Sequence, residues 1–200
     1  MTLVDVTEKV YALLKQEGSY LTSKTARENG LNNITLQRMA AKGLIDRAAY
    51  GLYVSTEIFP DPFLIAQYRC PKGVFSHETA LFLHGFSDRD PLRLMLTIPS
   101  GWNTRLLSDD SILIFYSKQK YMGLGVCELE TTPGVKVRAF NIERTLCDCL
   151  QIADKLDRDL VITALKRYVK DNKKDNAKLL EYASELKIRE MVYRYLEVLV

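Results

Sequence analysis

The stretch Thr22–Val54, TSKTARENGLNNITLQRMAAKGLIDRAAYGLYV, limits what the chain can fold into more than any other segment. Leu36, Met39 and Ala40 recur at helical spacing, and Gly43 closes that pattern off. The residues after Gly43 then divide around Gly51 into two short runs of strand character. One continuous helix or one sheet is therefore excluded. The segment predicts a short helix capped by Thr22 or Ser23 and ending at Glu28-Asn29-Gly30. A second helix follows from about Asn33 to Lys42, and then a hairpin. Upstream, Val4, Val6, Val10, Leu13 and Leu14 share one stripe of a helix from Leu3 to Glu17, which Gly18 ends. Ala26 leaves room for a close helix crossing, and Leu31 and Gly43-Leu44-Ile45 close the core. The pattern is that of a winged helix-turn-helix, and it predicts a first domain over residues 1–56.

The face of the second helix turned away from Leu36, Met39 and Ala40 carries Thr35, Gln37, Arg38, Ala41 and Lys42. Short polar and long basic groups on such a face suit base edges and phosphates in a major groove. The expected hairpin pairs Leu44–Arg47 with Leu52–Ser55 around Ala48–Gly51. Arg47 then suits a minor groove or a phosphate, and Tyr50 suits a sugar or phosphate. A plain structural account also stands: a solvated helix face, Arg47 paired with Asp46 or Glu57, and Tyr50 covering the hairpin. Charge distribution bears on the choice. The chain is only +3 overall, but Lys24, Arg27, Arg38, Lys42 and Arg47 face only Glu28 and Asp46 in this stretch, so the whole excess sits there. A second basic run, Lys166, Arg167, Lys170, Lys173, Lys174 and Lys178, is diluted by Asp171 and Asp175. It fits a solvated helix face or a further DNA contact.

Thr56 to Pro62, with two prolines, has the composition of a linker, which places a second domain at residues 57–200. Helical spacing resumes through Phe63, Leu64, Ala66, Gln67 and Tyr68 until Pro71-Lys72-Gly73. Ser76 is placed to cap a helix from His77 to His84 that Gly85 ends. Leu92, Leu94, Leu96 and Ile98 alternate with Arg93, Met95 and Thr97, the period-two pattern of a half-buried strand. Ser111–Ser117 is apolar on both faces and predicts a central strand. Val126–Thr131 and Val135–Phe140 predict a hairpin turning at Thr132-Pro133-Gly134. About four strands precede a helical tail opened by Asn141, and this block order predicts an α+β fold and not a doubly wound one.

The same residues carry few marks of catalysis. Phosphate-binding glycine loops, H-E-x-x-H and G-x-S-x-G are absent, and Gly123-Leu124-Gly125 is too brief to cradle a phosphate alone. His77 and His84 are the only histidines. Seven residues apart on one helix, they stand about 10 Å from each other, too far to share a metal, and His84 is expected to be hydrogen-bonded and partly buried. Cys70, Cys127, Cys147 and Cys149 lack C-x-x-C spacing and predict reduced core thiols. Asp88, Asp90, Asp109 and Asp110 are the residues on which a metal-dependent enzyme would have to rest, but they adjoin turn formers. Arg144 and Asp148, four apart on a helix, are expected as an exposed ion pair. The expectation is a protein without catalytic residues, metal or cofactor. Lacking a membrane-length apolar run or a secretory leader, it is expected in the cytoplasm.

The ordered set LTSKTARENGLNNITLQRMAAKGLIDRAAYGLYV, FSHETALFLHG, LTIPSG and FNIERTLCDCL resembles the AbiEi antitoxins of abortive-infection toxin-antitoxin systems, across nearly the whole chain. The resemblance implies a bacterial autorepressor whose winged helix binds double-stranded DNA at inverted repeats in its own promoter. It also implies a C-terminal domain that neutralises a nucleotidyltransferase-like toxin by type IV logic, in which no stable complex with the toxin is required. The DNA-reading role then falls on Thr35, Gln37, Arg38, Lys42 and Arg47, with Tyr50 beside them. Two other classes stay open: a metal-dependent enzyme acting on nucleic acid or nucleotides, and a protein-interaction module using the winged helix.

Overall fold

A computed structural model of the chain describes residues 3–104, 107, 110–132 and 134–199, with only the backbone for residues 3–5, 198 and 199. It is a mixed α+β structure that separates into two compact units, Met1–Arg69 and Cys70–Val200.

The first unit begins with α1 (Leu3–Gln16), β1 (Tyr20–Thr22), α2 (Ser23–Glu28) and α3 (Asn33–Ala41). It continues through β2 (Asp46–Ala49) and β3 (Leu52–Val54) to α4 (Pro62–Arg69). Thr22 caps α2 by accepting the Thr25 N–H, and Asn32 caps α3 by accepting the Ile34 N–H. Helix α3 stops where Gly43 N–H bonds Ala40 C=O and Leu44 N–H bonds Met39 C=O, both at 3.0 Å, the paired carbonyl closure of a helix whose next residue is left-handed. The core joins Val10, Leu13 and Leu14 of α1 to Leu21, Ala26, Leu31, Leu36, Met39, Ile45 and Tyr53. These are the expected stripe residues with Leu21 and Tyr53 added. Leu44 does not close the core as expected; it is exposed, and its carbonyl accepts the Tyr11 hydroxyl.

Two features of this unit differ from the sequence expectation. Strand β1 adds an edge, giving the order β1-β3-β2, both pairs antiparallel. The Thr56–Pro62 segment is also not a free linker. Asp61 is buried, its N–H bonds the Tyr20 hydroxyl at 2.6 Å, and its carboxylate accepts the Phe63 N–H at the start of α4. Tyr68 of α4 donates to Gly51 C=O at 3.0 Å. Residues 57–69 therefore belong to the first unit, and the division falls at Arg69 and not after Thr56.

The second unit contains β4 (Val74–Phe75), α5 (His77–Leu83), β5 (Leu94–Pro99), β6 (Ile112–Ser117), β7 (Val126–Glu130) and β8 (Lys136–Phe140). Four helices follow: α6 (Ile142–Gln151), α7 (Arg158–Lys170), α8 (Asn176–Glu185) and α9 (Arg189–Leu199). The sheet has five strands in the order β6-β5-β4-β8-β7, not four. Its fifth strand is β4, two residues long and too short for any alternation to show. Pairing is mixed: β5–β6 and β4–β8 are parallel, while β4–β5 and β7–β8 are antiparallel.

Ser111–Ser117 is not central. It forms the edge strand β6, with Tyr116 57% exposed, while β5, expected half-buried, is covered on both faces at Met95, Leu96, Thr97 and Ile98. Edge position depends on which strands find partners, which apolar content does not encode. Leu92 lies before β5 and is fully exposed. Pro133 of the expected hairpin turn and Asp109 lie outside the described residues.

Helix α6 organises this unit. Asn141 caps it by accepting the Arg144 N–H, and residues Glu143 to Leu150 are all buried. Around it pack Leu81, Val161, Ala164, Leu165, Tyr168, Leu179, Tyr182, Ala183 and Val192. The expected exposed ion pair is therefore a buried one: Arg144 Nε donates to Asp148 Oδ1 at 2.9 Å, with side chains 2% and 6% exposed. The sequence spacing is right, but helices on several sides remove the solvent. Gly125 meets the same helix. Its carbonyl accepts the Asn141 N–H at 2.6 Å, and a Cβ there would stand 2.7 Å from Arg144 Cβ.

Candidate nucleic-acid interface

The expected interface residues lie on two elements of the first unit. On α3 the buried stripe is Leu36 and Met39, with Ala40 half-buried beside them. At about 100° per residue, Arg38 points almost directly away from that stripe, with Lys42 and then Thr35 to one side and Gln37 to the other. Arg38, Gln37, Ala41 and Lys42 are exposed and Thr35 is half-buried, so the face forms one continuous strip. Ile34, which sequence reasoning passed over, belongs to the same strip and is 52% exposed. The signal for it was its wheel position beside Ala41 and Arg38; an apolar side chain among basic ones suits a thymine methyl group.

On the hairpin, Arg47 pairs in register with Tyr53, and an irregularity follows between Arg47 and Ala49. The turn is therefore tighter than expected. Strand β2 runs to Ala49, and Tyr50-Gly51 alone form the tip, with Gly51 at φ +74°. A side chain at Gly51 would be strained by that φ and would meet the Tyr68 hydroxyl at 3.1 Å. Tyr50 is 87% exposed, and the Arg47 guanidinium lies 5.4 Å from its ring centroid. Among the described residues Arg47 engages that ring and forms no ion pair with Asp46 or Glu57.

The electrostatics of the strip are one-sided. Among the described residues Arg38, Lys42 and Arg47 form no ion pair, whereas Lys24 reaches Glu28 at 3.9 Å. The structure thus gathers Thr35, Gln37, Arg38 and Lys42 on one helix face and joins Arg47 to Tyr50. No hydrogen bond or ion pair among the described residues links the two groups. In physical terms such a strip can neutralise phosphates and offer both fixed and flexible donors to an acceptor-rich ligand.

The residues considered for metal chemistry do not converge. Arg167 grips Asp88 through its two terminal nitrogens, Nη1 and Nη2, and Nη1 also donates to Gly85 C=O at 3.1 Å. That contact holds the Asp88 carboxyl below its usual range, through the hydrogen bond first and the charge second. Asp90 and Asp110 are exposed, and among the described residues no three His, Cys, Asp or Glu side chains gather as metal ligands would. His84 is half-buried and bonds Phe140 C=O at 2.8 Å, while His77 is buried and stacked on Phe115 at 3.9 Å. Cys70, Cys147 and Cys149 are buried and form no disulfide among the described residues. Lys174 and Lys178 of the second basic run turn back on Val169 C=O and Asp175.

No family model matches the sequence, and no curated protein matches it. A solved structure does. The fold is similar to that of the RV2827C protein from Mycobacterium tuberculosis, with a TM-score of 0.67, 13% identity, and coverage of 90% of this chain and 71% of that one. At that identity the likeness is one of fold. Among the described residues, no helix is long and apolar enough to cross a membrane.

Proposed function

We propose that the chain is a DNA-binding autorepressor and antitoxin of the AbiEi type. In this reading the first unit is a winged helix-turn-helix and α3 its recognition helix. The observation that carries the reading is the α3 strip, where Arg38 and Lys42 are exposed, form no ion pair among the described residues, and stand side by side with Gln37 and Ala41 to one side and Thr35 to the other. A helix in a major groove can direct such long cations to guanine edges or phosphates while short polar groups beside them meet other base edges. The Arg47–Tyr50 tip supplies the wing, with the guanidinium free to leave the ring for a phosphate or a narrow minor groove. The AbiEi resemblance adds the operator class, inverted repeats in the chain's own promoter, and the partner, a nucleotidyltransferase-like toxin neutralised without a stable complex.

The test pairs two readouts. With the upstream region fused to a reporter, the wild-type chain should lower expression, and Arg38→Ala and Lys42→Ala should each relieve that repression. Co-expressed with the product of the adjacent gene, the wild type should restore growth, and so should both variants, because neutralisation is assigned to the second unit. Repression unaffected by both substitutions would remove the recognition-helix assignment. Failure to restore growth would remove the antitoxin assignment.

A further inference from the structure

A cleft of about 270 Å³ opens in the second unit, lined by His77 at the start of α5, Thr97 of β5, Phe115 to Lys118 at the end of β6, and Arg144 and Asp148 of α6. It lies by the carboxyl ends of the adjacent parallel strands β5 and β6, the place where sheets of parallel strands offer a crevice for ligands. Most of its polar groups are already engaged. Arg144 directs Nε to Asp148 and Nη1 to the carbonyls of Tyr121 and Leu124, at 2.9, 2.8 and 3.2 Å. Thr97 donates to Ser76 Oγ, which in turn faces His77 Nδ1.

Two charged groups on the lining keep hydrogen-bonding capacity unused among the described residues. Asp148 Oδ2 is buried without a hydrogen-bond partner, a state costly for any carboxylate oxygen. Lys118 is exposed and forms no ion pair among the described residues. Beside them His77 holds a left-handed φ of +49°, rare for a side-chain-bearing residue and a form of strain that gathers at ligand sites. Phe115, Ile152 and Leu186 supply apolar wall. The complement of one unpartnered carboxylate oxygen, one unpaired ammonium and an apolar wall is a small zwitterion with an apolar substituent.

We propose that this cleft binds a free α-amino acid, its ammonium donating to Asp148, its carboxylate meeting Lys118 and its side chain lying on Phe115, Ile152 and Leu186. The site is independent of the DNA reading, since it is built wholly from the second unit.

The experiment is a thermal-shift screen of the intact chain against the proteinogenic amino acids, with nucleosides alongside, followed by calorimetric titration of any hit. An amino acid with an apolar side chain should raise the melting temperature. Its hydroxy-acid counterpart, lacking the ammonium, and its amide, lacking the carboxylate, should each bind at least tenfold more weakly. Lys118→Gln, at an exposed position, should leave the ligand-free melting temperature unchanged and weaken the amino acid tenfold. The same variant should bind the amide as the wild type does. The proposal is overturned if no amino acid shifts the melt, if a nucleoside is the ligand that binds, or if a bound amino acid is indifferent to Lys118→Gln and to loss of its ammonium.

Discussion

Arg144 and Asp148 show what burial does to an ordinary helical ion pair. Exposed, an i,i+4 pair contributes a few tenths of a kcal/mol. Buried on α6, neither partner can be removed alone without leaving a charge in the core. Arg144→Ala is therefore expected to lower unfolding free energy by about 3–5 kcal/mol, while Arg144→Met combined with Asp148→Leu should cost much less. Urea unfolding of the three proteins checks this. The same residues set a pH dependence. Burial first, and the Arg144 charge second, push His77 down to about 3 from 6.5. As pH falls below 6.5 the unfolded chain therefore binds a proton that the folded chain refuses, and stability is lost progressively toward pH 3. Burial raises Asp148 from 3.8 to about 6, with Arg144 opposing through its charge and hydrogen bond. Between pH 6 and 4 the folded state then holds a proton the unfolded state lacks, which offsets part of the histidine loss. Asp148→Asn should consequently lose stability more steeply than the wild type between pH 6 and 4, by up to about 1.4 kcal/mol per pH unit. A slope equal to or shallower than the wild type's would contradict these assignments.

At the level of elements, helix ends and helix faces were the most legible part of the sequence, because caps and glycine stops act through neighbours in the chain. Thr22, Asn32 as the start of α3, Gly43 and Asn141 act locally, and all but Asn32 were readable. What could not be read depends on distant partners. Strand β4 is a strand only because β5 and β8 flank it, and β6 is an edge because no strand among the described residues pairs beyond it. Ser76 looked like a cap, yet its hydroxyl makes no cap bond; it turns to Thr97 and His77 instead. Gly125 gave no phosphate loop, but the approach of the β7 start to α6 requires it. Its φ is +77°, and a Cβ would also fall 2.8 Å from Asn141 Oδ1. Gly125→Ala should destabilise the protein by about 1–3 kcal/mol. A denaturation midpoint equal to the wild type's would show that the contact relaxes freely.

The two units set what a fragment of the whole molecule can do. Residues 57–69 complete the first unit through the Asp61–Tyr20 and Tyr68–Gly51 bonds, the latter holding the hairpin tip itself. A fragment of residues 1–69 should accordingly melt cooperatively, whereas residues 1–56, the boundary the composition predicts, should melt at lower temperature. Circular dichroism on both fragments decides this, and equal melting would mean α4 adds nothing. The candidate site was legible in outline for a related reason: an amphipathic helix reveals its outer face through its inner one, so Thr35, Gln37, Arg38 and Lys42 could be named together. The contact of Arg47 with the Tyr50 ring comes where the β2 register is irregular, and the cleft beside Asp148 draws on α5, β5, β6 and α6, so neither could be seen from spacing.

Fluorescence anisotropy of the intact chain on a duplex from its own upstream region, at fixed salt, reads DNA recognition by α3 without any other component. Tight binding to that duplex and weaker binding to an unrelated one are expected. Arg38→Ala should lose roughly tenfold to a hundredfold, and Lys42→Ala should flatten the dependence of affinity on salt by about one counterion. Equal affinity for the two duplexes, with neither variant altering binding or its salt dependence, would contradict recognition by α3.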